Sequence, residues 1–403
     1  MKKAALVLTK IAYVIGAVFL LILAYNTAHY TFSYNLADLE DSGVYECPDS
    51  RGINLIVIVL AFLAAFAVSK LIFIKAADKE KKEKRAFIFS ACVSAVMFVL
   101  MCLWVGNTHI PPYWDQAYVY QAASEFITGD YGFMKNYIYL TMYPHQLGLI
   151  FFESLFLRIW NDYGIFQYLN AAFAALTVFF AGRLARELSE RPSAEVFTVV
   201  LTAGFAPLFY YVSYVYGDVF AVFAGVLLSF FLVRYLKNGK TVYPILSVIV
   251  AMIAVAVREN FLIFVIAASI TLFVFTLKNK KPVYLVTLAA LIAMPLLFSE
   301  GIELYYEQKA SVTLNEEIPS INWVVMGMQG DVSEGKGVGY YNGYNYYSWM
   351  VQGEKQKRLP QTIPKNSCGS TLRTTKTIPA TVTDFTVISF LNSGWSRRLT
   401  VLQ

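Results

Sequence analysis

The chain has 403 residues, 57% of them apolar and 15% charged, with 33 Lys and Arg against 27 Asp and Glu for a net charge of +6. Soluble domains carry about a quarter charged residues, so this usage excludes an ordinary soluble protein. The basic excess lies in short loops between apolar runs, where it orients membrane spans, so no nucleic-acid partner is expected.

The Met-Lys-Lys start and the apolar run at 4–25 have the outline of a signal peptide. The run exceeds an h-region of about 7–15 residues and lacks a small-residue cleavage site, which predicts an uncleaved first span. Further apolar runs fall at 53–74, 86–106, 144–160, 164–182, 194–214, 219–236, 242–257, 261–277 and 283–299. About 20 apolar residues suffice for a helix to cross a bilayer.

The loop from Lys75 to Arg85 is densely basic and, like the N-terminus, is expected on the cytoplasmic side. Residues 1–85 then form a transmembrane hairpin plus a basic loop, and the third span delivers 107–143 to the outside. If 144–160 also crossed, the basic clusters at Arg183/Arg186/Arg191, Arg234/Lys237/Lys240 and Lys278/Lys280/Lys281 would all fall outside. That run is short and carries Glu153, Arg158 and Trp160, which suits a helix lying in the interface. The expectation is an all-α polytopic membrane protein of about nine transmembrane helices, with two juxtamembrane helices in an outer loop at 107–163. The membrane module spans 86–300, followed by an outer tail at 301–403.

Within the outer loop, Asp115 is placed to cap a first helix. Tyr118, Ala122 and Phe126 follow on one side of it, and Gly129-Asp130 end it. Pro144 opens the second helix, at the position where proline fits best. Of the four cysteines, Cys92 and Cys102 read as small hydrophobes within a span. Cys47 and Cys368 share the outer side and leave a disulfide open. The three histidines are scattered, which disfavours a zinc site.

Trp114-Asp115-Gln116-Ala117-Tyr118 through Thr128-Gly129-Asp130, and then Tyr143-Pro144-His145-Gln146-Leu147-Gly148, resemble the GT-C superfamily. The resemblance is to its polyprenyl-phosphate-sugar glycosyltransferases, which include protein O-mannosyltransferases and the aminoarabinose transferase of lipid A. It covers roughly 86–300 and takes in the Arg183-Leu-Ala-Arg186 turn and Asp218. Gln116 departs from it where many relatives carry a second acid, and His145-Gln146 replaces the commoner paired prolines.

The resemblance implies a GT-C-like bundle in the cell membrane with its active site on the outer face. Such an enzyme passes a sugar from a polyprenyl-phosphate donor to a glycan, lipid or protein acceptor. A lipid phosphate is a good leaving group, so the chemistry needs a base for the acceptor hydroxyl and cations for the phosphate. Asp115 is the candidate base, or else a plain helix cap. Trp114 and Tyr118 suit a sugar-binding surface, and Asp218 reads as an acceptor ligand, a partner for a divalent cation, or a cap. Arg258, in the turn Arg258-Glu259-Asn260, offers a phosphate the bidentate geometry that lysine lacks, or pairs with an outer acid. His145 and the weaker Lys135 are further cations of the loop.

Glu316-Glu317, Asn322-Trp323 and the Gly- and Tyr-rich run from Gly337 to Trp349 read as a lid over a saccharide or a loop on headgroups. Beyond about Lys355 the pattern loses periodicity, and a truncated end is expected. The rival reading is a multispan transporter or lipid flippase. Against it, internal repeats are missing from the sequence, and its charges sit at span ends.

Overall fold

The computed structural model describes residues 2–34, 44–48, 50–74, 78–136, 138–314 and 320–328. Its contacts divide the chain into Met1–Pro319 and Ser320–Gln403. The first unit opens with α1 (Lys2–His29), an antiparallel pair β1 (Tyr30–Tyr34) and β2 (Val44–Pro48), α2 (Arg51–Leu71) and α3 (Lys79–Thr108). The short helices α4 (Asp115–Phe126), α5 (Gly132–Asn136) and α6 (Ile138–Met142) lead through a 3₁₀ turn at Pro144–Gln146 into α7 (Leu147–Leu157). Then come α8 (Gly164–Ser189), α9 (Pro192–Ala203), α10 (Ala206–Tyr210) with a 3₁₀ turn at Tyr211–Ser213, and α11 (Asp218–Asn238). The unit closes with α12 (Val242–Val257), a 3₁₀ turn at Glu259–Phe261, α13 (Leu262–Asn279) and α14 (Val283–Ala310). In the second unit the described helix is α15 (Ser320–Met328).

Among the described residues, seven helices are long and apolar enough to cross a membrane: α1, α2, α3, α8, α11, α13 with its preceding turn, and α14. This is a helical, multi-pass membrane protein, and among the described residues β1 and β2 pair antiparallel. The predicted 194–214 span is broken: α9 and the Ala206–Ser213 segment meet at 60° across Gly204-Phe205. The pair counts as an eighth span if taken as one, and α12, with 16 residues, falls short of the length required. The sequence pattern gives nine spans because it cannot register a bend or a helix that stops early. The 144–160 run gives an 11-residue helix, α7, too short to span a bilayer. It is also far from superficial, with Leu147, Leu149, Ile150, Glu153 and Leu157 all buried.

One core cluster joins α4, α7 and the end of α14 through Val119, Phe126, Leu147, Ile150 and Tyr306. The α7–α12 crossing is close because residue 148 is glycine: a Cβ there would stand 1.9 Å from the carbonyl oxygen of Ala256. At one end of the bundle, ion pairs tie helix termini together. Arg186 pairs with Glu83, Arg234 with Glu187 at 2.6 Å, and Lys237 with Glu190 at 3.1 Å. Glu195, fully buried, accepts from Arg183 Nη1 at 3.0 and 3.2 Å and from Ser90 Oγ at 3.0 Å, linking α3, α8 and α9. Removing one partner of such a pair leaves an uncompensated buried charge. Arg183→Ala is therefore expected to destabilise the protein by about 3 kcal/mol, read as a lower unfolding midpoint in detergent. Glu195→Gln together with Arg183→Ala should recover part of that loss.

Candidate functional site

α11 is 21 residues long, so at a rise of about 1.5 Å per residue its two ends lie about 30 Å apart. Its last turns carry Arg234 and Lys237 of the ion-paired end, and its first residue, Asp218, belongs to the opposite end. There the start of α4, the 211–217 strap, the α12–α13 turn and the Pro144–Gln146 turn converge.

Loop 109–113 is held by α8, where Tyr163 Oη donates to the His109 carbonyl at 3.1 Å and Gln167 Nε2 to that of Ile110 at 2.7 Å. Trp114 then takes the capping position of α4 with φ 54° and ψ −133°. A positive φ on a bulky residue costs about 1–3 kcal/mol and tends to mark functional sites. Asp115 is the first residue of the helix and does not occupy the capping position. The expected cap is thus corrected: the carboxylate instead accepts from Tyr216 Oη at 3.4 Å, long for an O–H···O bond.

Tyr216 is the hub. Gln146 Nε2 donates to its hydroxyl at 2.8 Å, and Tyr139 Oη lies 3.1 Å from it. With Gln146 and Tyr139 donating, the Tyr216 proton is left to point at Asp115. Burial, reinforced by the Asp115 charge, pushes the Tyr216 phenol up to about 12, so it is a donor at neutral pH. The Arg258 guanidinium lies over the Tyr216 ring, 4.5 Å from its centre, and its Nε donates to Asp218 at 3.0 Å. The second oxygen of Asp218 is buried without a hydrogen-bond partner. Asp115 is exposed, yet the protein mass around it raises its carboxyl above the usual aspartate range. The Tyr216 hydrogen bond and the Arg258 charge oppose that rise without cancelling it.

Gly217 supplies the turn into α11 with φ +81°, and a Cβ there would meet Val257 Cγ1 at 2.8 Å. The strap is pinned from three sides. Gln116, buried, accepts from Val215 N at 2.7 Å, Asn170 Nδ2 donates to the carbonyls of Val212 and Tyr214, and Gln167 Nε2 to that of Ser213. Gln116, the departure from the acid pattern, is a tether for the segment that carries Tyr216.

The remaining candidates gather around this hub. Tyr118 stacks on Tyr139 at 5.1 Å, and Trp114 is half exposed beside Asp115. His145, Gln146, Arg258, Glu259 and Asn260 line a small cleft. His145 Nε2 lies 3.3 Å from Gln146 Nε2, and its Nδ1 lies 3.7 Å from Glu259, beyond hydrogen-bond length. Lys135 is exposed in α5 and takes no part in the hydrogen bonds and ion pairs of this cluster among the described residues. No group of three or more His, Cys, Asp or Glu able to hold a metal ion occurs among the described residues. Cys92 and Cys102 are free thiols. Cys368 and the 337–349 run lie outside the described residues.

Sequence reasoning found Asp115, His145, Asp218 and Arg258 but missed Tyr216, Tyr139 and Gln146 as the groups that join them. The available signal was Tyr216 standing two residues before Asp218, next to the glycine that turns the chain into α11. Comparison with protein-family models, curated proteins and solved structures finds no match to this chain.

Proposed function

We propose that the protein is a membrane glycosyltransferase of GT-C type that moves a sugar from a polyprenyl-phosphate donor to an acceptor hydroxyl. The observation that carries this reading is the convergence of Asp115, Tyr216, Arg258 and Asp218 at one end of the bundle, opposite the basic end. By the charge-asymmetry rule that end faces outward from the cell membrane.

Asp115 removes the acceptor proton as the hydroxyl oxygen bonds to the anomeric carbon. The bond from that carbon to the phosphate oxygen breaks on the opposite face, inverting the centre. Arg258 holds the departing lipid phosphate with the donors that Asp218 and Tyr216 leave available, and His145 stands at the edge of the same cleft. Asp218 fixes Arg258 through the hydrogen bond from the guanidinium Nε. Trp114 and Tyr118 present ring surface to the sugar.

The test is sugar transfer from a radiolabelled polyprenyl-phosphate sugar in membranes with and without the protein; no protein-dependent transfer over a panel of donors overturns the reading. Within an active preparation, Arg258→Lys should lower transfer about 10²-fold, because an ammonium cannot reproduce both the Asp218 contact and a two-point phosphate grip. The measurement is kcat/KM for the donor. The second reading, a transporter or lipid flippase, draws on the 60° break between α9 and the Ala206–Ser213 segment. Substrate movement across proteoliposomes without bond cleavage would favour it.

A further inference from the structure

Against the 211–217 strap, Glu153 of α7 is 1% exposed, and its Oε2 has no hydrogen-bond partner. It lines a small pocket with Asn170, Tyr216 and the rings of Phe152, Phe166, Phe173 and Phe220. A lone buried carboxyl is costly and calls for a proton or a counter-cation. Burial alone pushes the Glu153 carboxyl well above the usual range. The titratable neighbours on packed elements are phenols, Tyr120 of α4 and Tyr216 of the strap.

We propose that this pocket, independently of the glycosyltransferase reading, binds one small primary ammonium cation, which enters as Glu153 releases its proton to solvent. The lining decides the class of cation. Hard metal ions take about six or more oxygen ligands, whereas the polar lining here is a carboxylate and one amide among aromatic rings, the Tyr216 hydroxyl being engaged with Gln146, Tyr139 and Asp115. The Asn170 nitrogen is engaged with the Val212 and Tyr214 carbonyls, at 3.2 and 2.9 Å, leaving its oxygen as the acceptor. An ammonium group has three N–H donors for the Glu153 and Asn170 oxygens, and it gains from aromatic faces. The balance is one cation bound, one proton lost from the Glu153 carboxyl, and no bond broken in the ligand.

The experiment is infrared difference spectroscopy of the full chain in detergent, following the carbonyl stretch of a protonated carboxylic acid. Methylammonium chloride is compared with potassium chloride and tetramethylammonium chloride at equal ionic strength. Methylammonium is expected to abolish the band, with a half-saturating concentration that falls about tenfold per pH unit. Potassium, which needs more oxygens, and tetramethylammonium, which has no N–H, should leave it. Glutamate labelled at the side-chain carboxyl must shift the band, which assigns it within the wild type even if Glu153→Gln fails to fold. In a folded E153Q the response should be absent. A band insensitive to methylammonium, equally sensitive to potassium, unmoved by the label or retained in E153Q overturns the proposal.

Discussion

Asp115→Asn is expected to lower sugar transfer by about 10²–10⁴-fold, the usual worth of a general base, while leaving membrane insertion and the unfolding midpoint nearly unchanged. The amide keeps the size of the side chain and can still accept from Tyr216, so the start of α4 has little reason to move. What it loses is the ability to take a proton. The same argument sets the pH profile. Asp115 acts in its ionised form, and its carboxyl is raised by the protein mass around it against the opposing pull of Tyr216 and Arg258. Transfer should therefore fall as pH drops through that raised value, at higher pH than for an ordinary aspartate, and rise to a plateau above it. Tyr216→Phe removes a hydrogen bond that favours the charged form, so its acid limb should move to still higher pH. Full activity in D115N, or an acid limb unmoved by Y216F, contradicts the assignment of the base.

Gly148→Ala should cost the folded protein itself. Glycine to alanine within a helix ordinarily stabilises by up to about 1 kcal/mol, so a loss here would mark the helix crossing. The added carbon would stand 1.9 Å from the Ala256 oxygen and 2.6 Å from its carbonyl carbon, whereas non-bonded carbons prefer about 3.5–4.0 Å. Backbone cannot rotate aside as a side chain does, so α7 and α12 must separate, at a cost of about 3 kcal/mol or more. Arg258 lies two residues beyond Ala256, so the separation also pulls the guanidinium off Tyr216. The measurements are the unfolding midpoint and the monodisperse fraction in detergent. A midpoint at or above wild type would show that the two helices are not in contact as described.

The membrane class of the chain and most of its apolar helices were legible without coordinates, and the charged residues named from the sequence, Asp115, Asp218 and Arg258, stand around Tyr216 in the structure. The α4 stripe was read well: Ala122 and Phe126 are buried, and Tyr118 is half-buried against Tyr139. Pro144 opens its turn as expected. Asp115 as a cap was misread because a capping position depends on the backbone angles of Trp114, which residue type alone does not set. The 144–160 run reads as an interfacial helix from its length and three polar residues; that one of them, Glu153, is buried in the protein is not visible in the pattern. Its neighbour Asn170 comes from the next helix, and Tyr216 from a segment much further along the chain.

The sequence by itself determined what depends on composition and local period: the apolar runs, the basic loops that orient them, and the helix beginning at Asp115. Tertiary structure decided what depends on distance. It bent the 194–214 run at Gly204-Phe205 and brought α7 against α12 through a missing Cβ. Above all it set Tyr216 between Asp115 and Arg258, across separations of 101 residues in one direction and a cation–ring contact of 4.5 Å in the other. Hydrophobic burial is non-directional and can be read from a pattern. A hydrogen bond or an ion pair needs particular atoms within about 3 Å, and only the folded chain fixes which ones meet.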